Sequence, residues 1–219
     1  MPRHSSRSWR AYRPDTVADR DGNVAYVGAT PAAAVAEAAP QRVAERRRQP
    51  PANRYRVLGL DPGSRRTGFG VIDCIGSDAV CVAQGCIDVA GAALADRLRL
   101  IHAGVTALID RHAPDEVAIE RVFVKRNVDS ALKLGQARGA ALAAVQDGEV
   151  LFEYAPRAVK LAIVGSGAAD KIQVAHMVCQ ILRLAESPVA DAADALAIAL
   201  CHAHHRRVDA LVLAAGAGT

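Results

Sequence analysis

Four acidic residues stand where their side chains could share a metal ion. Asp61 ends one short apolar run, and Glu120 ends another. Asp191 and Asp194 are three residues apart, which puts them on one face of a helix. Carboxylate oxygens are the ligands that Mg²⁺ prefers, and Mg²⁺ keeps coordination positions open for water and phosphate. The four acids therefore favour a metal-dependent phosphodiesterase.

Basic residues are distributed unevenly along the chain. The formal net charge is +4, yet residues 1–54 hold ten arginines and five acids, while the remainder holds 17 basic and 18 acidic residues. The chain has 23 arginines and only four lysines, and all four lysines lie between residues 121 and 171: Lys125, Lys133, Lys160 and Lys171. A compact ammonium group suits a phosphate contact. Four surface lysines placed by chance are the alternative.

Composition divides the chain into three parts. Residues 1–54 are rich in arginine, alanine and proline, and we expect them to be mostly disordered, with a short helix near Ala32–Ala39. This segment is either a weak electrostatic arm for nucleic acid or a dispensable extension. Residues 55–207 form the predicted folded domain, and residues 208–219 form a C-terminal tail.

Cysteine usage and hydropathy indicate the compartment. The five cysteines form no C-x-x-C pair, which favours reduced, mostly buried thiols in a cytoplasmic protein. No apolar run has the length needed to span a bilayer, so we expect no membrane partner.

The acids are positioned by strands that come first and helices that follow. The predicted strands are Arg56–Asp61, Thr67–Cys74, Val80–Val89, a run ending at Glu120, and Leu151–Tyr154. The predicted helices are Leu94–Arg111, Ser130–Gln146, Arg157–Val164, Asp170–Leu184 and Pro188–His204. This order predicts an α/β domain with a mixed five-stranded sheet flanked by helices. His202, His204 and His205 are attributed to a helix end, where the helix dipole favours them.

Each of these residues has a plainer interpretation as well. Asp61 begins a turn of a kind that nucleotide-binding ATPases of the actin and sugar-kinase type also use. Glu120 could pair with a neighbouring basic residue, and Asp191 and Asp194 could be first-turn acids that complement a helix dipole. Phe123 follows the strand that ends at Glu120, where it could stack on bases or pack a loop onto the core.

Taken together, the motifs resemble one family in their order and spacing, the RuvC crossover-junction endodeoxyribonucleases. The resemblance covers residues 55–207, and residues 1–54 have no counterpart in it. The matching segments are Gly59–Ile72, Ile119–Phe123, Asn127–Gly139, Lys171–Val174 and Ala190–Ala199.

The resemblance implies a ribonuclease-H-like fold and symmetric nicking of Holliday junctions during recombination and DNA repair in the bacterial cytoplasm. It implies a homodimer that works with the RuvA–RuvB branch-migration complex, and two Mg²⁺ ions per site, which Mn²⁺ could replace. Asp61, Glu120, Asp191 and Asp194 fall on the family's catalytic, metal-binding acids. Phe123 falls on the aromatic that contacts the unpaired junction centre. The remaining DNA-binding and catalytic positions are Lys160 and Lys171 near the scissile phosphate and Asn127 in the matching loop. The helix from Ser130 lies where the family places much of its dimer contact, and Gly135 and Gly139 would permit close approach there.

The predicted reaction is in-line attack of water on a DNA phosphodiester, leaving a 5′-phosphate and a 3′-hydroxyl. Lys171 would offset charge on the phosphoryl group, and further phosphate contacts would come from Lys125, Arg126, Lys133 and Arg138.

Three alternatives remain open at this point. They are a ribonuclease-H-like nuclease acting on RNA or RNA–DNA hybrids, an ATP-dependent sugar-kinase-like protein, and a junction-binding scaffold without catalysis.

Overall fold

The computed structural model describes residues 16–18, 24–26, 54–121, 128–145 and 150–216. The chain divides into two compact units, Met1–Glu45 and Arg46–Thr219. In the first unit, strands β1 (Thr16–Ala18) and β2 (Val24–Tyr26) pair antiparallel. No strand was predicted there, and the helix predicted near Ala32–Ala39 lies outside the described residues.

A mixed five-stranded sheet forms the centre of the second unit, as the sequence predicted. Its strands lie in the order β5–β4–β3–β6–β7. The first three along the chain form an antiparallel meander, and the last two run parallel to β3. The bounds are β3 (Arg54–Pro62), β4 (Arg66–Ile75), β5 (Asp78–Asp88), β6 (Glu116–Glu120) and β7 (Val150–Tyr154).

Helices cover both faces of this sheet. One core forms between the sheet and helices α1 (Leu94–His112) and α2 (Val128–Ala143). The other forms against α3 (Pro156–Val164), α4 (Lys171–Leu182) and α5 (Ala190–Gly216). The central strand β3 contributes to both cores, which explains its run of consecutive apolar residues. None of the helices in the described part of the chain is long and apolar enough to cross a membrane.

Helix α5 differs most from its prediction. It begins at Ala190 instead of Pro188 and continues to Gly216, far beyond the predicted end at His204 and through most of the predicted tail. The histidines therefore lie within the helix, and their attribution to a helix end is wrong. The buried run ends at His202, after which the helix is mostly exposed. The change from buried to exposed residues after His202 therefore does not mark the end of the helix.

Candidate active site

Asp61 and Glu120 leave the sheet side by side. The parallel pairing of β3 and β6 sets Leu60 opposite Ile119, so the next residue on each strand is an acid at the same edge. Both strands are central, with neighbours on either side. The carboxyl edge of parallel strands is where ligands bind in open α/β sheets. The sequence predicted that each acid ends a short apolar run, and the two runs are the strands β3 and β6.

Asp191 and Asp194 approach that edge because α5 lies directly on the backbone of the sheet. A Cβ added at Gly68 would lie 2.0 Å from the carbonyl oxygen of Asp191, and one at Gly59 would lie 2.2 Å from that of Ala195. Any side chain at these two glycines would push the helix away. The glycines are therefore what brings the first turns of α5 over the ends of β3 and β4.

Three of the four acids share one cavity. Asp61, Glu120 and Asp194 line a space of about 360 Å³ together with Lys160 and Lys171. Its apolar wall comes from Pro156, Val159, Val174, Ala197 and Ile198. Asp191 lines a neighbouring cleft of about 500 Å³, whose other walls are Gly63, Ser64, Arg65, Arg66, Ala90 and Leu134. The predicted acids thus come together as a group of three, with the fourth on the adjoining side of α5.

Burial and mutual repulsion perturb the acids at the sheet edge. Burial, followed by the negative charges of Glu120 and Asp194, raises the pKa of Asp61 from 3.8 to about 7, while Lys171 opposes the shift. The negative charge of Asp191 also raises the pKa of Asp61, with a smaller effect. Burial and Asp194 also raise the pKa of Glu120, against the opposing charges of Lys171 and Lys160. Carboxyl groups whose pKa values are raised by burial and by neighbouring carboxylates are typical of functional sites.

Lys171 is the closest positive partner of the acids. Its Nζ lies 2.6 Å from Oδ2 of Asp194, and this hydrogen bond raises the pKa of the Lys171 ammonium group. A capping box holds the start of α4, where Lys171 is the first residue. Asp170 accepts a hydrogen bond from the backbone of Gln173 at 2.8 Å, and the Gln173 side chain accepts one from the backbone of Asp170 at 3.0 Å. The lysine therefore extends from a well-defined helix end.

The chemistry of this donor set fits a divalent cation. It consists of carboxylate oxygens, partly buried at the edge of a sheet and repelling one another, and a cation would relieve that repulsion. In the described ranges, no three His, Cys, Asp or Glu side chains are already arranged to hold one metal ion together. Asp194 instead directs an oxygen to Lys171.

The predicted DNA-binding residues are found in different surroundings. Phe123, Lys125, Arg126 and Asn127 lie outside the described residues. Lys160 lines the acid cavity, whereas Lys133 pairs with Asp129 on the exposed side of α2 at 2.6 Å. Arg138 donates to the backbone carbonyl of Glu120 at 3.2 Å and pairs with Glu153, so part of its guanidinium supports the strand that carries Glu120.

Two features near the acids were missed by the sequence analysis. Glu153 pairs with Arg138 and, at 3.6 Å, with Arg121, which ties β7 to the end of β6. Ser64, Arg65 and Arg66 line the cleft beside Asp191. The sequence feature that could have indicated this cleft is the pair of arginines, Arg65 and Arg66, which follows the Asp-Pro-Gly turn and Ser64. Glu153 gave no signal, because its partners lie 15 or more residues away in the sequence.

Comparison with known proteins identifies the family. The chain matches the family described as "Crossover junction endodeoxyribonuclease RuvC" over residues 57–202. The chain belongs to the RuvC family. That match contains all four acids and ends at His202.

Individual RuvC proteins agree with this assignment. The crossover junction endodeoxyribonuclease RuvC of Hahella chejuensis is 56% identical over 150 residues, which are 68% of this chain and 87% of that protein. The RuvC of Halorhodospira halophila is 55% identical over 164 residues, 74% of this chain and 98% of that protein. The solved structure of Thermus thermophilus RuvC in complex with a Holliday junction substrate matches with a TM-score of 0.67 and 38% identity, covering 71% of this chain and 96% of that one. The predicted ribonuclease-H-like, RuvC-type fold is confirmed.

Proposed function

We propose that this RuvC-family chain resolves Holliday junctions by metal-dependent hydrolysis of one phosphodiester in each of two DNA strands, leaving 5′-phosphate and 3′-hydroxyl ends. The observation that carries the proposal is the single cavity lined by Asp61, Glu120, Asp194 and Lys171. It combines ligands for a cation with a positive charge for a phosphate. Its walls also contain Lys160, a second ammonium group for the same purpose.

The four acids are the proposed metal ligands. Asp61, Glu120 and Asp194 would hold Mg²⁺ from within the cavity, and Asp191 would contribute from the adjoining cleft. We propose two ions per site, with Mn²⁺ as a substitute. Such ions activate the attacking water and stabilise the leaving oxygen in phosphodiester hydrolysis.

Lys171 and Lys160 are the proposed contacts to the scissile phosphate. The raised pKa of Lys171 keeps its side chain protonated at neutral pH, so it acts as a fixed positive charge and not as a base. A positive group directed at the phosphoryl oxygens stabilises charge that develops in the transition state. In the described residues Lys171 is bound to Asp194, and we propose that it exchanges this partner for the phosphate when DNA enters.

A homodimer would supply the second active site. A four-way junction is itself two-fold symmetric, so two identical sites explain paired nicks. Helix α2 is the proposed contact, because a Cβ added at Gly135 or Gly139 would have no described neighbour within 4 Å apart from the adjacent backbone of α2 itself. The open face of this helix would let a second copy approach closely.

The remaining contacts concern the arms and centre of the junction. We propose that Phe123 stacks at the unpaired centre, that Asn127 contacts DNA in the same loop, and that phosphates along the arms are bound by Lys125, Arg126, Lys133 and Arg138. These contacts would position the junction without reading its sequence. The RuvA–RuvB complex is the proposed partner that delivers it, in the bacterial cytoplasm, where five free cysteines would stay reduced.

Residues 1–54 are proposed to be a separate, electrostatic arm that adds nonspecific affinity for DNA. Salt dependence tests this role. Removal of residues 1–53, which hold nine arginines and five acids and end before β3, should lower junction affinity at low salt and flatten the dependence of affinity on salt. Equal affinity and equal salt dependence would make the segment a dispensable extension.

Nicking of a synthetic four-way junction tests the main proposal. The wild-type protein should nick it in the presence of Mg²⁺, and should leave a linear duplex of the same sequence intact. Asp61→Asn should abolish nicking while junction binding stays nearly unchanged. Preference for an RNA–DNA hybrid would instead favour a ribonuclease, and junction binding by wild type without nicking would favour a scaffold. Tight ATP binding in calorimetry would favour the kinase-like alternative.

A further inference from the structure

A buried polar cluster lies about two helical turns further along α5 than Asp194. His202 is only 1% exposed, and its Nε2 lies 2.6 Å from Oε2 of Glu116 on β6. Its Nδ1 lies 2.8 Å from the hydroxyl of Tyr154 on β7. A carboxylate can only accept, so Nε2–H donates to Glu116, while Nδ1 shares the second hydrogen bond with the Tyr154 hydroxyl. The two ring nitrogens thus bind two neighbouring strands.

Arg206 and Tyr55 extend this cluster to a third strand. The Nε of Arg206 lies 3.4 Å from Oε1 of Glu116, and its guanidinium carbon lies 3.8 Å from the centre of the Tyr55 ring on β3. The Tyr55 hydroxyl donates to the carbonyl of Ala203 at 3.4 Å. Over residues 202–206, therefore, α5 is joined by directional contacts to β3, β6 and β7, which are adjacent in the sheet.

The contacts of α5 nearer the acids are of a different kind. Ala195 and Ala199 lie on Gly59, where an added Cβ would be 2.2 Å from the Ala195 carbonyl oxygen and 2.9 Å from the Ala199 Cβ. These contacts determine how closely the helix approaches the sheet. Apolar contacts have no preferred direction, so these contacts bring the helix close to the sheet without a directional bond between the two.

Position along the helix axis matters because α5 carries two of the four acids. Asp194 must meet Asp61 and Glu120, which are fixed to strands. Catalytic and metal-binding groups need to be held within about 0.5 Å of their productive positions. We infer that the hydrogen bonds of His202 to Glu116 and Tyr154 fix the axial position of α5, and that His202 is thereby a positioning residue for Asp194. This inference rests on the proposed function.

Stability alone is a weaker explanation for the cluster. Replacing a buried ionic or polar group with well-packed apolar residues is often neutral or stabilising, whereas fixing a register is the best-attested use of such groups. The centre of the His202 ring lies 4.3 Å from that of the Phe152 ring. An apolar side chain would fill this site but would not specify one position of the helix.

Two substitutions at His202 separate packing from positioning. His202→Phe keeps a ring beside Phe152 and removes both hydrogen bonds, while His202→Gln keeps a donor for Glu116. Ile109→Val on α1 is the matched control, because it causes a small loss of stability in the core on the opposite face of the sheet. The measurements are Mn²⁺ affinity by electron paramagnetic resonance without DNA, the single-turnover nicking rate, and junction affinity.

His202→Phe should weaken Mn²⁺ binding and slow nicking, each by about 10- to 100-fold, the range typical of residues that orient metal ligands. Junction affinity should stay unchanged, His202→Gln should recover part of both losses, and Ile109→Val should alter neither quantity. The inference is overturned if His202→Phe behaves like Ile109→Val at equal folded fraction. If His202→Phe does not fold, Tyr154→Phe and Glu116→Leu decide, because each removes one of the two hydrogen bonds of His202, and unchanged Mn²⁺ affinity in both would overturn the inference. Absence of nicking by wild type would instead contradict the proposed function, and Mn²⁺ affinity would still test the positioning role.

Discussion

The Nζ of Lys171 lies 2.6 Å from Oδ2 of Asp194, so the most exposed charge at the site is bound to one of the proposed metal ligands. The two residues come from different helices, α4 and α5, and both line the cavity that contains Asp61 and Glu120. This contact reduces the repulsion within the group of acids. If a phosphate and a cation bound together, the phosphate would contact Lys171 and the cation would contact Asp194.

Lys171→Gln should therefore impair catalysis more than binding. Glutamine removes the positive charge but can still donate a hydrogen bond to Asp194. We expect the single-turnover nicking rate to fall by about 10²- to 10³-fold, the effect typical of losing one group that stabilises the transition state, with junction affinity nearly unchanged. Quench-flow nicking assays and gel-shift titrations measure the two quantities.

The control for that experiment is Arg99→Gln, which removes a basic group that pairs with Asp96 on the exposed side of α1. It should alter neither rate nor affinity. A Lys171→Gln variant that nicks as fast as wild type would remove this lysine from the reaction.

Asp61→Asn should stabilise the protein when chelator removes divalent cations. The pKa of Asp61 is raised from 3.8 to about 7, so between these pH values the folded state binds this proton more tightly than the unfolded state. The contribution of Asp61 to the free energy of unfolding therefore decreases as pH rises through this window. Asparagine keeps the shape and removes the charge. The Tm of the variant should exceed that of wild type by a few degrees at about pH 8.

The difference in Tm between Asp61→Asn and wild type should disappear at about pH 4, where both side chains are neutral in the folded state. Thermal unfolding followed by circular dichroism across this pH range measures it. A variant less stable than wild type at every pH would show that repulsion between Asp61 and the neighbouring carboxylates does not destabilise the folded state. The same substitution abolishes the proposed nicking, so stability and function should change in opposite directions.

The strand ends and the helix spacing made the acids predictable, because both are local patterns. Asp61 and Glu120 each end an apolar run, and Asp191 and Asp194 are three residues apart in a helix, so neighbouring residues alone were enough to select these four acids. The contact between His202 and Glu116 joins residues 86 positions apart. No local pattern contains that information, so the partner of His202 could not be predicted from the sequence.

The glycines illustrate an intermediate case. Gly68 belongs to the hairpin of β3 and β4, which is a local feature of the chain. Its contact with the backbone of Asp191 depends on how α5 crosses the sheet, and that crossing is a property of the whole fold. The cleft that separates Asp191 from the other three acids could not be predicted for the same reason.

Added Mg²⁺ should raise the thermal stability of the wild-type protein, and more so at high pH. A ligand that binds only the folded state stabilises it, and carboxylates must lose their protons before they bind a metal. With Asp61 titrating near 7, the increase in Tm at saturating Mg²⁺ should be larger at about pH 8 than at about pH 5.5. Asp61→Asn should reduce the increase at both pH values. An increase of equal size in wild type and variant would indicate that Mg²⁺ binds elsewhere.

Gly139→Leu should weaken dimerisation without destabilising the monomer. A Cβ added at this position has no described neighbour within 4 Å apart from the adjacent backbone of α2, and leucine favours a helix more than glycine does. If α2 forms the contact between two copies, the added side chain would hold them apart and raise the dimer dissociation constant by about tenfold or more. Sedimentation velocity at several protein concentrations measures this constant, and Ala103→Leu on the exposed side of α1 serves as the control. An unchanged dimer in Gly139→Leu would move the contact away from this face of α2.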